Sequence, residues 1–386
     1  MRKTIYVIDP VCPQSYDFEV LKKDGLGASE SYLLFWINDL LGDNKIHLEN
    51  TEIIFFQAHR KKTDSILYKE NNNKLTFSGL ESVLEYEHLD PQSIILQRDP
   101  RLYDYCKRIY PEANLILYCH DFFEGSPFQK CKKEELEKYF HATHGFKFVF
   151  VSEWQKNNYL ENLKLLNVET EHIYMSVSVN TKMEVIYFYF PDNLKKLKKQ
   201  HKKIERDLFK IGYFAGDHKG LNEALNIFSQ LRKINDKFSL VVSSPKYNDY
   251  EIDDGNGVSF LKNIPREEVL KEMSSCLCLL HPNKVYPETF GCVNMEANYL
   301  GIPVICYRFG ATGEWISELT ESGLSQIIEN HTNNYLFDPL DVRRAISKIL
   351  AMHNNEEDRM ALLPNSELIN KETTLKQWLE ILTTKY

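Results

Sequence analysis

The sequence lacks the patterns that mark secreted, membrane-spanning and metal-dependent proteins. Its eight cysteines include no Cys-x-x-Cys pair, and most of them lie in apolar runs, as reduced and buried cysteines do. No apolar run approaches the roughly 18 residues that a membrane-spanning helix needs, and the apolar start at 5–8 is too short for a signal peptide. No Asp-x-Asp triplet is present to hold a divalent metal. We therefore expect a cytoplasmic protein with free thiols and no bound metal.

The chain also has no excess of positive charge. The chain has 47 Lys and Arg against 55 Asp and Glu, a net charge of −8 and a pI of about 5.9. This balance argues against nucleic acid as a general partner. The chain is well supplied with apolar material, since 43% of its 386 residues are hydrophobic. That length and composition predict two domains with full cores.

Short β-branched and apolar runs alternate with helical patterns along the whole chain. In the first half, strands are predicted at 4–8, 52–56, 93–96, 114–118 and 147–151. In the second half, strands are predicted at 209–214, 239–242, 276–280 and 304–307. Such alternation is typical of βαβ units with buried parallel strands. The predicted fold class is therefore α/β.

The composition divides the chain into four segments. We predict an N-terminal Rossmann-like domain at 1–182, a basic interdomain segment at 183–207, a C-terminal Rossmann-like domain at 208–365 and a final helix at 366–386 that packs back across the domains. The lysines at 195–203 allow two interpretations. They could touch anionic lipid at the cytosolic membrane face, or they could lie in solvent between the domains, which the scarcity of apolar anchors favours.

The stretch 281–318 holds the most informative pattern in the chain. Glu288 and Glu296 stand eight residues apart, with a turn at 287–291 leading into a predicted helix at 292–300. Eight residues of helix span about 12 Å. The start of such a helix exposes unpaired N–H groups and suits an anion. A ligand with two hydroxyl-rich ends and a charged middle, such as a nucleotide sugar, would fit this arrangement.

Three other loops have residues that suit the same kind of ligand. Gly27 and Ala28 precede a predicted helix at 31–41, where a small residue lets backbone approach a phosphate. Lys219 lies between two glycines at a strand-to-helix turn, a good position for binding a diphosphate. His120 follows the strand at 114–118, at the sheet edge where ligands bind, although a histidine there is as often structural.

Together these motifs resemble the signature of retaining GT-B glycosyltransferases, especially the large family 4 group. The resemblance rests on Pro-Glu-Thr-Phe-Gly at 287–291, Glu-Ala at 296–297 and Gly-Ile-Pro-Val at 301–304, and it extends from about residue 25 to residue 380. It implies a GT-B fold, with two Rossmann-like domains facing across a cleft. It also implies transfer of a sugar from a nucleotide-sugar donor with retention of configuration.

The resemblance further implies roles for individual residues. Glu288, Lys219 and His120 form the expected catalytic set, with Glu288 and His120 on the donor sugar and Lys219 on the diphosphate. The other donor-binding residues are expected in backbone turns and along the motif helix: Gly27, Ala28, Thr289, Phe290, Gly291, Cys292 and Glu296. One departure stands out, because the family's phosphate-binding arginine is replaced here by Tyr213 or Phe214.

The expected co-substrate is a UDP- or GDP-sugar, with no further cofactor. The acceptor stays open between a glycan, a lipid-linked sugar and a protein. Two other functions also remain open. The chain could be another GT-B enzyme, such as a sugar-nucleotide epimerase, or a non-catalytic sugar-nucleotide-binding protein, which the missing arginine would suit.

Overall fold

The computed structural model describes most of the chain, which divides into two compact units. The described residues are 2–23, 26–42, 45–61, 65–69, 71–141, 145–168, 183–201, 204–243, 256–261, 264–307, 309–315, 327–328, 339–361 and 364–384. The first unit contains Met1–Phe18, Ser29–Tyr189 and Asn370–Tyr386, and the second contains Glu19–Ala28 and Phe190–Ile369. Each unit is built around a sheet of its own.

The first unit holds an eight-stranded sheet in the order β3-β4-β2-β1-β5-β6-β7-β8. Its strands are β1 (Lys3–Asp9), β2 (Thr51–Gln57), β3 (Ser65–Tyr68), β4 (Lys74–Gly79), β5 (Ser93–Gln97), β6 (Asn114–Tyr118), β7 (Lys147–Phe150) and β8 (Met183–Val185). Strand β3 pairs antiparallel with β4, and the other neighbours are parallel. The inner strands β1, β2, β5 and β6 are buried along nearly their whole length, which explains their continuous apolar runs.

The second unit holds a six-stranded parallel sheet in the order β11-β10-β9-β12-β13-β14. Its strands are β9 (Asp207–Tyr213), β10 (Ser239–Ser243), β11 (Val258–Leu261), β12 (Cys276–His281), β13 (Val304–Tyr307) and β14 (Ile327–Ile328). Strand β12 is buried at every position and lies between β9 and β13. Because β9 and β12 are parallel neighbours, the loops that follow them begin at the same edge of the sheet.

Helices connect these strands. The described α-helices are α1 (Phe18–Lys23), α2 (Ala28–Leu41), α3 (Tyr103–Ile109), α4 (Lys133–Tyr139), α5 (Glu153–Leu165), α6 (Asp192–His201), α7 (Leu221–Ile234), α8 (Arg266–Ser274), α9 (Cys292–Tyr299), α10 (Pro339–Asn354) and α11 (Lys371–Thr383). Short 3-10 turns lie at Leu80–Tyr86, Pro100–Leu102, Phe123–Gly125, Pro127–Lys130, Asp217–Lys219 and Glu357–Arg359. The C-terminal helix α11 belongs to the first unit, where Trp378 stacks on Trp36 of α2 with 4.1 Å between ring centroids.

The basic helix α6 is held by an apolar face. Leu194 and Leu197 are buried, whereas the lysines between and beyond them lie towards the surface. Lys198 places its ammonium 4.0 Å from the centre of the Tyr299 ring. Lys202 and Lys203 lie outside the described residues, and contact with an anionic membrane stays a prediction. Among the residues that the structure describes, no helix has both the length and the apolar character needed to cross a bilayer.

The predicted strands are confirmed, with ends that shift by at most two residues. Strands β3, β4, β8, β11 and β14 were not predicted, because they are short or mix polar with apolar residues. Strand β8 lies at the start of the segment predicted to join the domains, and it pairs with β7 of the first sheet. The predicted end of the N-terminal domain at 172–180 lies outside the described residues. The predicted domain boundaries stay predictions.

The Trp36–Trp378 stack suggests a test of how firmly α11 is held. Both side chains are buried, at 2% and 0% exposure, so Trp378→Ala should lower the free energy of unfolding by about 3–5 kcal/mol through lost contacts and a cavity. Lys376→Ala on the same helix is the matched control, because that side chain is 63% exposed. Urea unfolding followed by circular dichroism measures both. Equal midpoints for the two variants would show that α11 is not anchored by the stack.

Candidate functional site

A glycine turn follows β9 and positions Lys219. The Tyr213 hydroxyl donates to the Gly216 carbonyl at 2.6 Å, and the 3-10 turn Asp217–Lys219 comes next. Gly220 then has a φ of +94°, and a Cβ there would lie 2.5 Å from the Pro282 carbonyl oxygen. Only glycine lets this turn approach the loop after β12 so closely. The Lys219 turn is therefore fixed beside the segment that leads to Glu288.

Lys219 and Glu288 form the ion pair at the centre of the site. The Lys219 ammonium lies 2.8 Å from Oε1 and 3.0 Å from Oε2 of Glu288, so it donates to both carboxylate oxygens. The Lys219 side chain is 31% exposed, whereas that of Glu288 is 9% exposed. The cation therefore keeps contact with solvent while the carboxylate is enclosed. The sequence placed both residues in one site, and the structure brings them together.

Two further side chains approach the same carboxylate from the end of β12. Asn283 Nδ2 donates to Glu288 Oε1 at 3.1 Å, and His281 Nε2 lies 3.6 Å from that oxygen. Asn283 also shapes the loop, because its Oδ1 accepts from the Val285 and Tyr286 amides at 3.3 and 3.2 Å. Sequence reasoning missed both residues. The sequence feature that could have identified them is their position at the end of a buried strand and just before the motif.

The electrostatics of the pair keep Glu288 ionised. Burial by itself would raise the pKa of Glu288, but the Lys219 ammonium, with smaller contributions from His281 and Asn283, brings that pKa below its ordinary value. Burial also lowers the pKa of His281, against the opposing effect of Glu288. At neutral pH the site therefore holds a carboxylate beside a neutral imidazole.

The backbone of Glu288 is held by the loop after β13. Residues Glu288 and Gly310 form a parallel β-bridge, and the Ala311 N–H donates to the Glu288 carbonyl at 2.6 Å. Gly310 has a φ of +72°, and a Cβ there would lie 2.4 Å from the Glu288 carbonyl oxygen. The glycine at this position is therefore required both by its conformation and by the closeness of the two chains.

Helix α9 begins immediately after the motif turn. Gly291 is its N-cap, with a φ of +85°, and no side chain caps the first turn. The first amides of a helix have no acceptor within the helix, and the dipole at this end favours an anion. Trp315 Nε1 donates to the Phe290 carbonyl at 3.0 Å, which ties the turn to the segment after Gly313. Thr289, Phe290, Gly291 and Cys292 lie at this helix start, as the sequence predicted.

Glu296 has a different cation from Glu288. It forms an ion pair with Arg266 at the start of α8, and both side chains are largely buried. Burial raises the pKa of the neighbouring Cys292 thiol, and Glu296 adds to that effect. The sequence analysis gave Arg266 no role. The two motif glutamates therefore lie in separate surroundings, each with its own basic partner.

A buried charged cluster supports the site from behind. The Lys284 ammonium lies 2.8 Å from Asp341 at the start of α10 and 3.7 Å from Glu223 of α7. The Tyr307 hydroxyl donates to Glu223 at 2.7 Å. Burial raises the pKa of Glu223, although Tyr307 and Lys284 oppose it. These contacts join the Asn283–Tyr286 loop to two helices and to β13, and sequence reasoning did not find them.

In the first unit, His120 is enclosed by aromatic rings. Its ring centroid lies 4.1 Å from that of Tyr118 and 6.3 Å from that of Phe188. Burial, with Arg98 nearby, brings the pKa of His120 well below its ordinary value, so this imidazole is neutral. His120 follows β6 as predicted. Gly27 comes directly before α2 and Ala28 begins that helix, and both residues belong to the second unit.

A polar cluster next to His120 was not predicted. Arg98 donates to Glu30 Oε1 at 2.8 Å and lies 3.9 Å from Asp121, while Asp9 accepts from the Tyr16 hydroxyl at 2.7 Å. Burial disfavours the charged guanidinium, but these carboxylates outweigh it and raise the pKa of Arg98.

Ligand atoms of Asp9, Cys12 and Glu30 lie within 4.8 Å of one another, a spacing that a metal ion could use. However, the Arg98 charge already occupies one side of this group and Glu30 is paired with it. The arrangement suits an ion-pair cluster better than a cation site.

Comparison with known proteins agrees with this geometry. Residues 192–368 match the family model described as glycosyl transferases group 1. The match lies within the second unit and includes Lys219, Glu288 and Glu296. A comparison with curated protein sequences gave no match.

Solved structures show that the glycosyltransferase has the GT-B fold. The α,α-trehalose 6-phosphate synthase of Burkholderia multivorans matches with a TM-score of 0.63 at 11% identity, over 99% of this chain and 98% of that chain. The E. coli protein bound with UDP-2-fluoro glucose matches with a TM-score of 0.59 at 11% identity, over 99% of both chains. A TarM variant from S. aureus, in complex with fondaparinux, α-GlcNAc-glycerol and UDP, matches with a TM-score of 0.51 at 15% identity, over 83% of this chain and 62% of that chain.

The Gly310–Glu288 contact gives a test of the site's backbone. Gly310→Ala should lower the melting temperature of the glycosyltransferase more than Gly291→Ala does. Both positions have a positive φ, which costs about 1–2 kcal/mol for alanine, but only the Gly310 variant must also push Glu288 aside. A Cβ at Gly291 meets no atom within 3.7 Å, so that variant is the matched control. Differential scanning calorimetry compares them, and equal losses would contradict the close approach at Glu288.

Proposed function

We propose that this glycosyltransferase is a retaining enzyme, of the family 4 type, that moves a sugar from a nucleotide-sugar donor to an acceptor. The observation that supports this most is the Lys219–Glu288 pair beside the uncapped start of α9. A partly exposed cation, an enclosed carboxylate and free helix amides are the groups that a sugar diphosphate needs. The activity would serve glycan, polysaccharide or glycoconjugate synthesis.

In this proposal each part of the donor has its own partner. The diphosphate would bind Lys219 and the amides around Thr289 to Cys292. The sugar hydroxyls would donate to Glu288, whose charged form is stabilised in place. The ribose would lie on Glu296, whose carboxylate is oriented by Arg266. A UDP- or GDP-sugar is the proposed donor, and two of the similar solved structures hold UDP or a UDP-sugar.

The chemistry follows from where charge develops. Loss of the diphosphate builds negative charge on the leaving oxygen, and preorganised positive groups lower that barrier. Lys219 is held at this position by Glu288, so no reorganisation of a flexible side chain is needed. The glycosyl centre becomes oxocarbenium-like. In the family that the chain resembles, the leaving phosphate accepts the acceptor's proton on the same face, so Glu288 orients the sugar and need not attack. His120, neutral and enclosed, would contact the sugar without carrying charge.

A second candidate is a sugar-nucleotide-binding protein without transferase activity. The observation that favours it is that Tyr213 or Phe214 stands where the resembling family has its second phosphate cation. Both side chains are buried and the Tyr213 hydroxyl donates to the Gly216 carbonyl, so neither offers a charge to a phosphate. Arg266 lies beside the motif helix, where it is paired with Glu296. Binding without transfer would identify this second function.

The proposal is tested by binding and turnover in one set of variants. Thermal shifts with UDP-, GDP-, ADP- and TDP-sugars should identify a donor, because a ligand of the folded state raises the melting temperature. With that donor, Glu296→Ala should weaken binding and Glu288→Ala should mainly lower turnover, each loss corresponding to about 1–3 kcal/mol of lost hydrogen bonding. Lys376→Ala, on an exposed surface of the first unit, is the control. An unchanged turnover number for Glu288→Ala would refute its assignment.

Metal dependence gives a separate test. We expect transfer to continue in EDTA, because the diphosphate charge would be met by Lys219 and helix amides and no Asp-x-Asp triplet occurs in the chain. The measurement is the initial rate of sugar transfer with EDTA and after addition of Mg²⁺ or Mn²⁺. Complete loss of transfer in EDTA that either metal restores would overturn this expectation.

A further inference from the structure

His281 and Asn294 form a buried pair behind Glu288. His281 ends β12 and is 4% exposed, and Asn294 lies in the first turn of α9 and is 2% exposed. The amide of Asn294 lies 2.8 Å from His281 Nδ1, and Nε2 on the other side of the ring lies 3.6 Å from Glu288 Oε1. The imidazole therefore stands between an amide and a carboxylate. The position of the ring hydrogen, on Nδ1 or on Nε2, decides whether a lone pair or an N–H group faces Glu288.

One orientation of the Asn294 amide leaves this network unbalanced. If Oδ1 faces the ring, Nδ1 must carry the hydrogen, and a neutral ring then turns the lone pair of Nε2 towards the Glu288 carboxylate. Two acceptors would face each other, and both His281 Nε2 and Asn294 Nδ2 would be buried without a hydrogen-bond partner. Buried polar groups without partners are costly. Oxygen and nitrogen of an amide have nearly the same shape, so the opposite orientation fills the same space.

The opposite orientation removes the contact between two acceptors. Asn294 Nδ2 then donates to His281 Nδ1, and the ring carries its hydrogen on Nε2, which faces Glu288 Oε1 across 3.6 Å, beyond hydrogen-bond distance. Asn294 Oδ1 takes the place of Nδ2 as the buried amide atom without a partner. The charged imidazolium is the remaining possibility, but burial lowers the pKa of His281 and favours the neutral ring. The neutral form with Nε2–H therefore places an N–H dipole, and not a lone pair, against the carboxylate.

We propose that His281 is a positioning residue for Glu288, with an Nε2–H group that faces Oε1 across 3.6 Å and whose tautomer is set by Asn294. Oε1 would then accept hydrogen bonds from Lys219 at 2.8 Å and Asn283 at 3.1 Å, and the N–H dipole of His281 would attract it from a third side. Oε2 accepts from Lys219 at 3.0 Å. Fixing Oε1 orients the carboxylate so that Oε2 meets a donor hydroxyl, a consequence that rests on the proposed function. The tautomer itself does not depend on that function.

The first test observes the ring directly in the wild-type protein. Nitrogen-15 labelling of histidine, read through two-bond couplings in NMR, distinguishes the Nε2–H tautomer, the Nδ1–H tautomer and the imidazolium. One of the twelve histidine signals is assigned to His281 by its loss in His281→Gln. We expect an Nε2–H ring at neutral pH. An Nδ1–H ring, or an imidazolium, would overturn the proposal.

Variants then separate tautomer control from packing. Asn294→Leu should abolish the preference of His281 for the Nε2–H tautomer and increase its Nδ1–H population. Asn298→Leu is the matched control, because Asn298 lies one turn further along α9, is 3% exposed and has no hydrogen bond to His281. An unchanged His281 signal in Asn294→Leu, or an equal change in both variants, would overturn the assignment of the tautomer to Asn294.

Kinetics with an identified donor give the functional readout. His281→Leu should lower kcat by up to roughly 10-fold, because loss of a full hydrogen bond to a charged group sets the upper end for this longer contact, with a smaller change in KM. His281→Gln should retain most of the activity, since its amide can reach the same oxygen. Equal losses in both variants would refute the donor role. If the wild-type ring is Nε2–H but no transfer occurs, the proposed function fails and the tautomer assignment stands.

Discussion

The Lys219–Glu288 ion pair is the interaction on which the second unit's site depends. It joins the turn after β9 to the loop after β12, two strands that are neighbours in the sheet. Gly220 makes the pair possible because its conformation and its missing side chain let one loop approach the other. Gly310 does the same for the backbone of Glu288 from the opposite side. Two glycines and one ion pair thus define where a donor could be held.

Other buried carboxylates of this unit are also paired with a basic side chain. Glu296 is paired with Arg266, and Asp341 is paired with Lys284. A buried carboxylate without a partner would be costly, and a paired one gains orientation more than stability. Because Glu288 and Glu296 have separate cations, each can be oriented without the other. This independence suits two ends of one extended ligand.

In the first unit, buried carboxylates share a single basic side chain. Arg98 is shared among Glu30, Asp121 and Asp9, so its charge is spread over three carboxylates. His120 lies beside this cluster and is kept neutral by burial. A neutral ring among aromatic side chains offers surface and a polar atom without fixed charge. Such surroundings suit contact with a sugar better than contact with a phosphate.

The sequence by itself determined the α/β class, the buried apolar strands and the motif loops, because buried parallel strands must be apolar throughout and helix starts need glycine or polar turns. It also brought Lys219 and Glu288 into one site. Only the tertiary structure decided which cation each glutamate meets, since Arg266 and Glu296 are thirty residues apart and no local pattern joins them. The same holds for His281 and Asn294, whose contact depends on how α9 packs against β12. Local spacing predicts elements, but pairings between elements depend on the packing of the whole unit.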